Sequence, residues 1–195
     1  MSRKNTQTRT RILTAAWHLL ETDGTVRMSD IAKQAGISRQ ALYLHFPSRA
    51  ELLIATTRYL DEVKHVDERL TANRAARSGR EKLSLFVEVW GNYIPEIHGV
   101  ARALMAMQDS DEEARNAWAD RMHAVREGCE AAVDRIEADG LLAPGLDRKT
   151  ASDLIWTLLS VRNWEQLRLG CGWSQEAYIA QMKRLAELTV IAPDR

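Results

Sequence analysis

The sequence predicts an all-α fold of about nine helices. Apolar residues recur at three- and four-residue intervals in almost every segment, as they do on one face of a helix. Ser, Asp, Gly and Pro stand where such stretches begin and end. No segment shows the strict alternation or the hairpin turns of strands. With 195 residues, 45% of them apolar, the chain is long enough for one large or two small domains.

The N-terminal part of the chain is predicted to form three helices around a small core. The first helix runs from about Thr6 to Thr22 and ends at Asp23-Gly24. Its apolar stripe comprises Ile12, Leu13, Ala16, Leu19 and Leu20. The two helices that follow are short and close together in sequence, so they can pack against this stripe.

The stretch from Asp30 to Arg49 has the pattern of two short helices joined by a tight turn. Gly36 supplies the left-handed backbone that ends the first helix. Ser38 is a good N-cap for the second, and Ile37 with Leu42 fits a hydrophobic staple. Pro47 stops the second helix. This arrangement indicates a helix-turn-helix, whose second helix lies in the major groove of DNA.

A plain pair of packed helices is the alternative to DNA binding. The side chains on the second helix favour DNA. Arg39 can bind guanine, Gln40 can bind adenine, and Ala41 is small enough to approach a thymine methyl group. Tyr43 and His45 are also able to contact bases or phosphates.

The same stretch resembles the DNA-binding domain of the TetR family of bacterial transcriptional regulators. The resemblance rests on Ile31–Ala32, Ala35–Ser38, Tyr43–Phe46 and the basic Arg49 shortly before Leu52. It covers roughly the first third of the chain. For the remainder, only the general plan of the family is carried over.

The resemblance implies particular DNA contacts. Tyr43 and His45 match phosphate-contacting residues of the family, and Arg49 stands where a phosphate-binding Lys is usual. Arg27 occupies the position of the usual phosphate-contacting Thr or Ser, so Thr25 or Ser29 is expected to substitute. The predicted DNA-binding residues are therefore Thr25, Ser29, Ser38, Arg39, Gln40, Ala41, Tyr43, His45 and Arg49.

The formal net charge of zero conceals an uneven distribution. Residues 1–52 hold eight Lys or Arg and four Asp or Glu, a net charge of +4, and the remainder carries −4. A basic N-terminal region suits a surface that meets phosphate. Ordinary surface variation is the alternative explanation.

Residues 1–50 are predicted to form the DNA-binding domain and residues 80–195 a second helical domain. A connecting helix over about 48–71 opens with the capping box Ser48–Glu51, and a polar junction over 71–79 follows. The next helix starts after this junction. Later helices are predicted to start at Pro95, after Ser110, and at the caps Asp147 and Ser174. The Asp147 helix is expected to continue to Gly170.

By resemblance to the family, the second domain binds a small molecule and forms a homodimer through the last two predicted helices. Trp156, Leu159 and Trp164 widen the apolar surface of the first of these helices, which suits burial on two sides. The candidate pocket residues are Trp90, Tyr93, His98, Met105, Gln108, Trp118, Met122, Trp156 and Asn163, with His123 as a further polar candidate. The alternative for each aromatic or Met is ordinary core packing. A mostly apolar pocket favours a hydrophobic or amphipathic inducer.

The sequence therefore predicts a homodimeric repressor that binds a palindromic operator in double-stranded DNA and is released by a small-molecule inducer. One alternative is a DNA-binding dimer controlled by a protein partner. Another is an enzyme that uses His98 near Glu96, or His123 near Cys129, but no third orienting group stands at a diagnostic spacing. No cofactor, metal site or membrane span is expected. With no signal peptide and a reduced cysteine pair, the expected location is cytoplasmic.

Overall fold

A computed structural model describes residues 3–24 and 26–193, and within these ranges the predicted all-α fold is confirmed. An isolated antiparallel bridge pairs Leu142 with Ile191. The helices are α1 (Arg3–Asp23), α2 (Met28–Gln34), α3 (Arg39–His45), α4 (Arg49–Val63), α5 (Val66–Arg69), α6 (Thr71–Arg74), α7 (Gly79–Met107), α8 (Glu112–Ala138), α9 (Arg148–Leu158), α10 (Val161–Glu165) with a π-helical turn (Gln166–Gly170), and α11 (Gln175–Val190). Thr25, a predicted DNA contact, lies outside the described residues.

The chain divides into two compact units. Unit 1 comprises Met1–Lys64 and Ile97–Met122, and unit 2 comprises His65–Glu96 and His123–Arg195. The core of unit 1 includes apolar residues of α1 to α4 together with Val100, Leu104 and Ala114. The N-terminal helices therefore share their core with the end of α7 and the start of α8.

The predicted helix-turn-helix geometry is confirmed in unit 1. Gly36 has a φ of 64°, the left-handed conformation that glycine adopts without strain. The Ser38 side chain accepts a hydrogen bond of 3.1 Å from the Ala41 amide and caps α3. Leu42 and Phe46 are buried in the core. The turn and the cap fix the direction in which α3 leaves α2.

Helix α4 is shorter than predicted, because it ends at Val63 rather than near residue 71. His65 takes a left-handed conformation with a φ of 54°, and the chain continues as the short helices α5 and α6. The apolar residues Tyr59, Leu60, Val63 and Leu70 are spaced as in one continuous helix, but such spacing does not predict a single left-handed residue between them. The predicted connecting helix is therefore wrong beyond Val63.

The prediction that a new helix starts at Pro95 is also wrong, because α7 runs without a break from Gly79 to Met107. Proline has no amide hydrogen, so the carbonyl of Gly91 loses its usual helical donor. The side chain of Gln175 replaces that donor, with its Nε2 2.9 Å from the Gly91 oxygen. Gln175 thus satisfies the backbone group that the proline leaves free.

The single helix predicted from Asp147 to Gly170 consists of α9, α10 and the π-helical turn. Asp147 caps α9 as predicted, since its side chain accepts a hydrogen bond from the Thr150 amide. Ser160 starts α10 in the same way. The side-chain Nδ2 of Asn163 donates to the backbone carbonyls of Thr157 and Leu158 at 2.8 and 3.2 Å. These side-chain caps explain the break, because they satisfy backbone groups that a continuous helix would pair internally.

Helix packing in unit 2 depends on close approaches at two glycines. A Cβ atom on Gly79 would lie 2.5 Å from the backbone of Ile136, and one on Gly128 would lie 2.1 Å from the Phe86 ring. These two glycines therefore set the distance between α7 and α8.

Helix α9 packs against α11, which begins after its predicted cap Ser174.

Candidate DNA-binding surface

Four exposed residues of α3, namely Arg39, Gln40, Tyr43 and Leu44, form a surface that we call the recognition face. The cap at Ser38 and the buried anchor Leu42 hold α3 so that this side of the helix meets solvent. Gln40 and Leu44 are separated by one helical turn, and so are Arg39 and Tyr43. The face carries hydrogen-bonding, cationic, aromatic and apolar groups within a single short helix.

Arg39 and Tyr43 interact with each other on the recognition face. The Arg39 Cζ atom lies 5.6 Å from the centroid of the Tyr43 ring, and Nη2 donates to the Tyr43 hydroxyl at 3.5 Å. Both residues line a cleft of about 820 Å³, together with Arg27, Ser29 and Arg49. This interaction orders the arginine while its positive charge stays accessible.

The other predicted DNA contacts have different surroundings. Ser29 is exposed in α2 and its hydroxyl lies 3.4 Å from an Asp30 carboxylate oxygen. Ala41 and His45 are half-buried. His45 lines a second cleft, of about 580 Å³, that also includes Arg9. The structure thus places Ser29 and Arg39 along one cleft and His45 along another.

Arg49 is enclosed by protein groups, in a cluster that we call the arginine corner: Arg49, Val26, Asp111 and Glu113. Its Nε donates to the Val26 carbonyl at 2.6 Å, and its Nη1 lies 2.7 Å from an Asp111 oxygen and 3.4 Å from a Glu113 oxygen. Only 15% of the Arg49 side chain is exposed. The positive charge of Arg49, for which the sequence predicted a DNA phosphate as partner, is therefore paired with the carboxylates at the start of α8.

The two carboxylates of the arginine corner also complete the ends of helices. Glu113 accepts a hydrogen bond of 3.3 Å from the Ala50 amide in the first turn of α4. Asp111, rather than the predicted Ser110, caps α8 by accepting from the Ala114 amide. Burial acts to raise the pKa of Asp111, but the Ala114 and Glu113 amides and the Arg49 guanidinium outweigh it and hold this pKa below its ordinary value. The corner is thus built around ionised Asp111.

Two further arginines support α2 and α3, a role that was not predicted for them from the sequence. Arg11 donates to the Ala35 carbonyl from Nε at 3.2 Å and from Nη2 at 2.5 Å, which satisfies the C-terminal end of α2. Arg9 lies over the Phe46 ring, 4.2 Å from its centroid, and donates to the His45 carbonyl. In the sequence, this supporting role is indicated only by the placement of Arg9 and Arg11 two residues apart on α1. Part of the N-terminal positive charge therefore stabilises the fold.

The candidate ligand-binding residues divide between the two units. Trp90, Tyr93, Trp156 and Asn163 belong to unit 2, and His98, Met105, Gln108, Trp118 and Met122 belong to unit 1. Trp118 packs against the core beneath the helix-turn-helix.

In unit 2, the Trp90 and Tyr93 rings form an edge-to-face pair with centroids 6.2 Å apart. Trp90 Nε1 donates to the Leu159 carbonyl at 2.7 Å, so this polar group is already engaged. The Asn163 amide nitrogen is engaged in the cap described above. Trp156 is half-buried, with the Arg126 guanidinium 5.5 Å from its ring centroid.

The described residues contain no group of three or more His, Cys, Asp or Glu that could hold a metal ion. In the same part of the chain, the helices are too short or too polar to cross a membrane. Cys129 is buried and Cys171 exposed, and neither forms a disulfide. Burial raises the pKa of Cys129 to about 12, which keeps this thiol protonated at neutral pH.

Comparison with protein families gives a match to "Bacterial regulatory proteins, tetR family" over residues 12–56. This range includes α2, α3 and the arginine at the start of α4. Two relatives extend the comparison. The nucleoid occlusion factor SlmA of Marinomonas sp. is 39% identical over 64 residues, which is 32% of this chain and 32% of that protein. The regulator CymR of Pseudomonas putida is 26% identical over 165 residues, 79% of this chain and 75% of CymR.

A solved structure with a similar fold is a transcriptional regulator from Saccharomonospora viridis in complex with choline. It superimposes with a TM-score of 0.73 and 20% identity, and the match covers 96% of this chain and 100% of that one. Its level of identity supports the fold alone. The fold similarity therefore extends over both compact units, whereas the family match lies in unit 1.

Proposed function

Because the chain belongs to the TetR family of bacterial regulatory proteins, we propose that it is a homodimeric transcriptional repressor that binds a palindromic operator and is released by a small molecule. The observation that carries this proposal is the recognition face, on which α3 presents Arg39, Gln40 and Tyr43 to solvent. These side chains have the donors and acceptors that read base edges in a major groove. The activity requires access to chromosomal DNA and is therefore assigned to the cytoplasm.

Dimerisation gives the recognition face its specificity. One short helix reads only a few base pairs, and two helices related by a two-fold axis read a palindrome with half-sites roughly one helical turn apart. Exposed leucines on the packed helices α9 and α11 support a self-association surface there: Leu154, Leu185 and Leu188. Burial of such side chains against a second copy is favourable.

The dimer is tested by measuring molar mass in solution with light scattering. We expect the wild-type protein to have twice the mass of one chain, and Leu188→Asp to shift the protein towards monomer and weaken operator binding. Leu169→Asp, at an exposed leucine of the π-helical turn, is the matched control. A wild-type mass equal to one chain would contradict the proposed dimer.

The inducer is proposed to bind in the C-terminal helical domain and to be hydrophobic or amphipathic. The aromatic residues Trp90, Tyr93 and Trp156 of unit 2 support this chemical class. The S. viridis regulator of similar fold, which was solved with choline, supports the use of this fold by a small ligand. The ligand needs only to prefer the conformation that does not bind DNA. A coupling of about 1–3 kcal/mol weakens operator binding several-fold to roughly a hundredfold.

The operator is tested by selecting bound sequences from a random duplex pool at near-physiological salt. Recovery of a palindrome would support the proposal, and the recovered duplex is then the probe for inducers. A set of hydrophobic and amphipathic small molecules is screened for release of the protein from this duplex. No enrichment, together with binding that disappears as salt rises, would show that the basic surface binds DNA only nonspecifically.

A further inference from the structure

The recognition face contains an apolar side chain in an unusual position. Leu44 is 83% exposed, the highest value for a large apolar side chain in the described part of the chain. A single exposed leucine is common on protein surfaces and needs no explanation by itself. Its place on the outward side of α3, one turn after Gln40, is what gives it a possible function.

Two clefts in the described part of the chain are lined by residues of α3. Arg39 and Tyr43 line one cleft, and His45 lines the other. Gln40 and Leu44 line neither of these clefts, and both are exposed. Outside these two clefts, α3 therefore exposes an amide side chain and an aliphatic one.

We propose that Leu44 is a specificity-determining residue that contacts the C5-methyl group of a thymine, one or two base pairs away from an adenine bound by Gln40. The inference rests on the proposed operator binding. In the major groove, an A·T pair presents adenine N6 and N7 to an amide side chain and a thymine methyl group to an apolar one. The exposed methyl groups of Leu44 would lose contact with water there, which is favourable.

Helix geometry fixes the spacing of the two contacts. Four residues of helix advance by about 6 Å, whereas successive base pairs are about 3.4 Å apart. Gln40 and Leu44 therefore read base pairs one or two steps apart. Each half-site is expected to hold two A·T pairs, either adjacent or separated by one pair.

The test replaces thymine by uracil, which removes only the methyl group, one position at a time in the operator recovered by selection. With wild-type protein, one position in each half-site should lose about fourfold in affinity, as expected for one buried methyl group. Leu44→Ala should bind the thymine and uracil duplexes equally well at that position. Leu169→Ala, at a leucine of the π-helical turn that is 63% exposed, should keep the wild-type ratio.

The outcomes separate this inference from the proposed function. If Leu44→Ala keeps the wild-type ratio of thymine to uracil affinities at every position, the assignment of Leu44 is overturned and operator binding stands. If no sequence is enriched with the wild-type protein, both the operator and the Leu44 contact are overturned. Unfolding midpoints of the variants are measured alongside, and substitution of an exposed side chain such as Leu44 should leave these midpoints unchanged.

Discussion

The recognition face and the arginine corner each hold an arginine that the sequence suggests as a DNA contact, yet their surroundings differ. Arg39 is exposed, and its described contacts are with the uncharged Tyr43. Arg49 contacts two carboxylates and a backbone carbonyl. A guanidinium that is already paired has little charge left for a phosphate. We therefore expect the partners of a basic residue, and not only its position in a motif, to decide whether its charge is available to DNA.

The largest expected effect comes from removing the arginine of the corner. Arg49→Met should lower the free energy of unfolding by about 2–3 kcal/mol, because two half-buried carboxylates and a carbonyl lose a charged donor. Urea unfolding measures this change. Arg49→Lys is the control, since it keeps the charge but not the forked geometry and should cost less. Unchanged stability with uniformly weaker DNA binding would restore Arg49 to the phosphate contact that the sequence suggested.

The matching change on the recognition face should affect binding instead of stability. Arg39→Ala should weaken binding to the selected operator by about 1–3 kcal/mol and relax the sequence preference. Competition binding with operator variants measures both effects. Arg102→Ala, at an exposed arginine on α7, should leave affinity and preference unchanged. An intact sequence preference in Arg39→Ala would remove Arg39 from base readout.

The arginine corner should also respond to pH. The pKa of Asp111 is held below its ordinary value of 3.8 in the folded protein. A lowered pKa stabilises the fold above the ordinary value, and the contribution disappears as the pH falls through the folded pKa. Asp111→Asn should therefore cost about 1 kcal/mol at neutral pH, and the difference from wild type should narrow as the pH falls below about 4. Asp109→Asn is the exposed control, and a pH-independent difference would contradict the linkage.

The smallest effect is expected for an exposed ion pair that also links α4 with α8. The Arg58 Nη2 atom lies 2.8 Å from Asp120 Oδ1, but 67% of the Arg58 side chain is exposed. Arg58→Ala should change the free energy of unfolding by less than about 0.5 kcal/mol, because solvent screens the pair. Urea unfolding at low and high salt measures this. A loss as large as that of Arg49→Met would mean that enclosure does not distinguish the two arginines.

The sequence predicted the helix-turn-helix well because its signals act over short distances. The left-handed glycine at Gly36 and the cap at Ser38 each govern backbone groups within three residues. The same is true of the caps Ser48, Asp147 and Ser174, which all form the predicted hydrogen bonds. The proposed base contacts of Arg39 and Gln40 stay predictions, and their exposure is consistent with them.

The surroundings of the candidate ligand-binding residues were less predictable. Aromatic residues at helical spacing show the same sequence pattern whether they pack into a core or line a pocket. Trp118 packs against the core of unit 1, and the side-chain amide of Asn163 caps the C-terminal end of α9. Neither role leaves a periodic signal, because each depends on which helices become neighbours.

By itself, the sequence determined the all-α fold, the helix-turn-helix and the residues that α3 exposes. These features follow from hydrogen bonds and apolar spacing within one or two turns of helix. Only the tertiary structure decided that Arg49 pairs with Asp111, 62 residues away, and that Gln175 binds the Gly91 carbonyl, 84 residues away, which Pro95 leaves without a helical donor. Such partners meet only when the helices pack, so no local pattern in the chain can specify them.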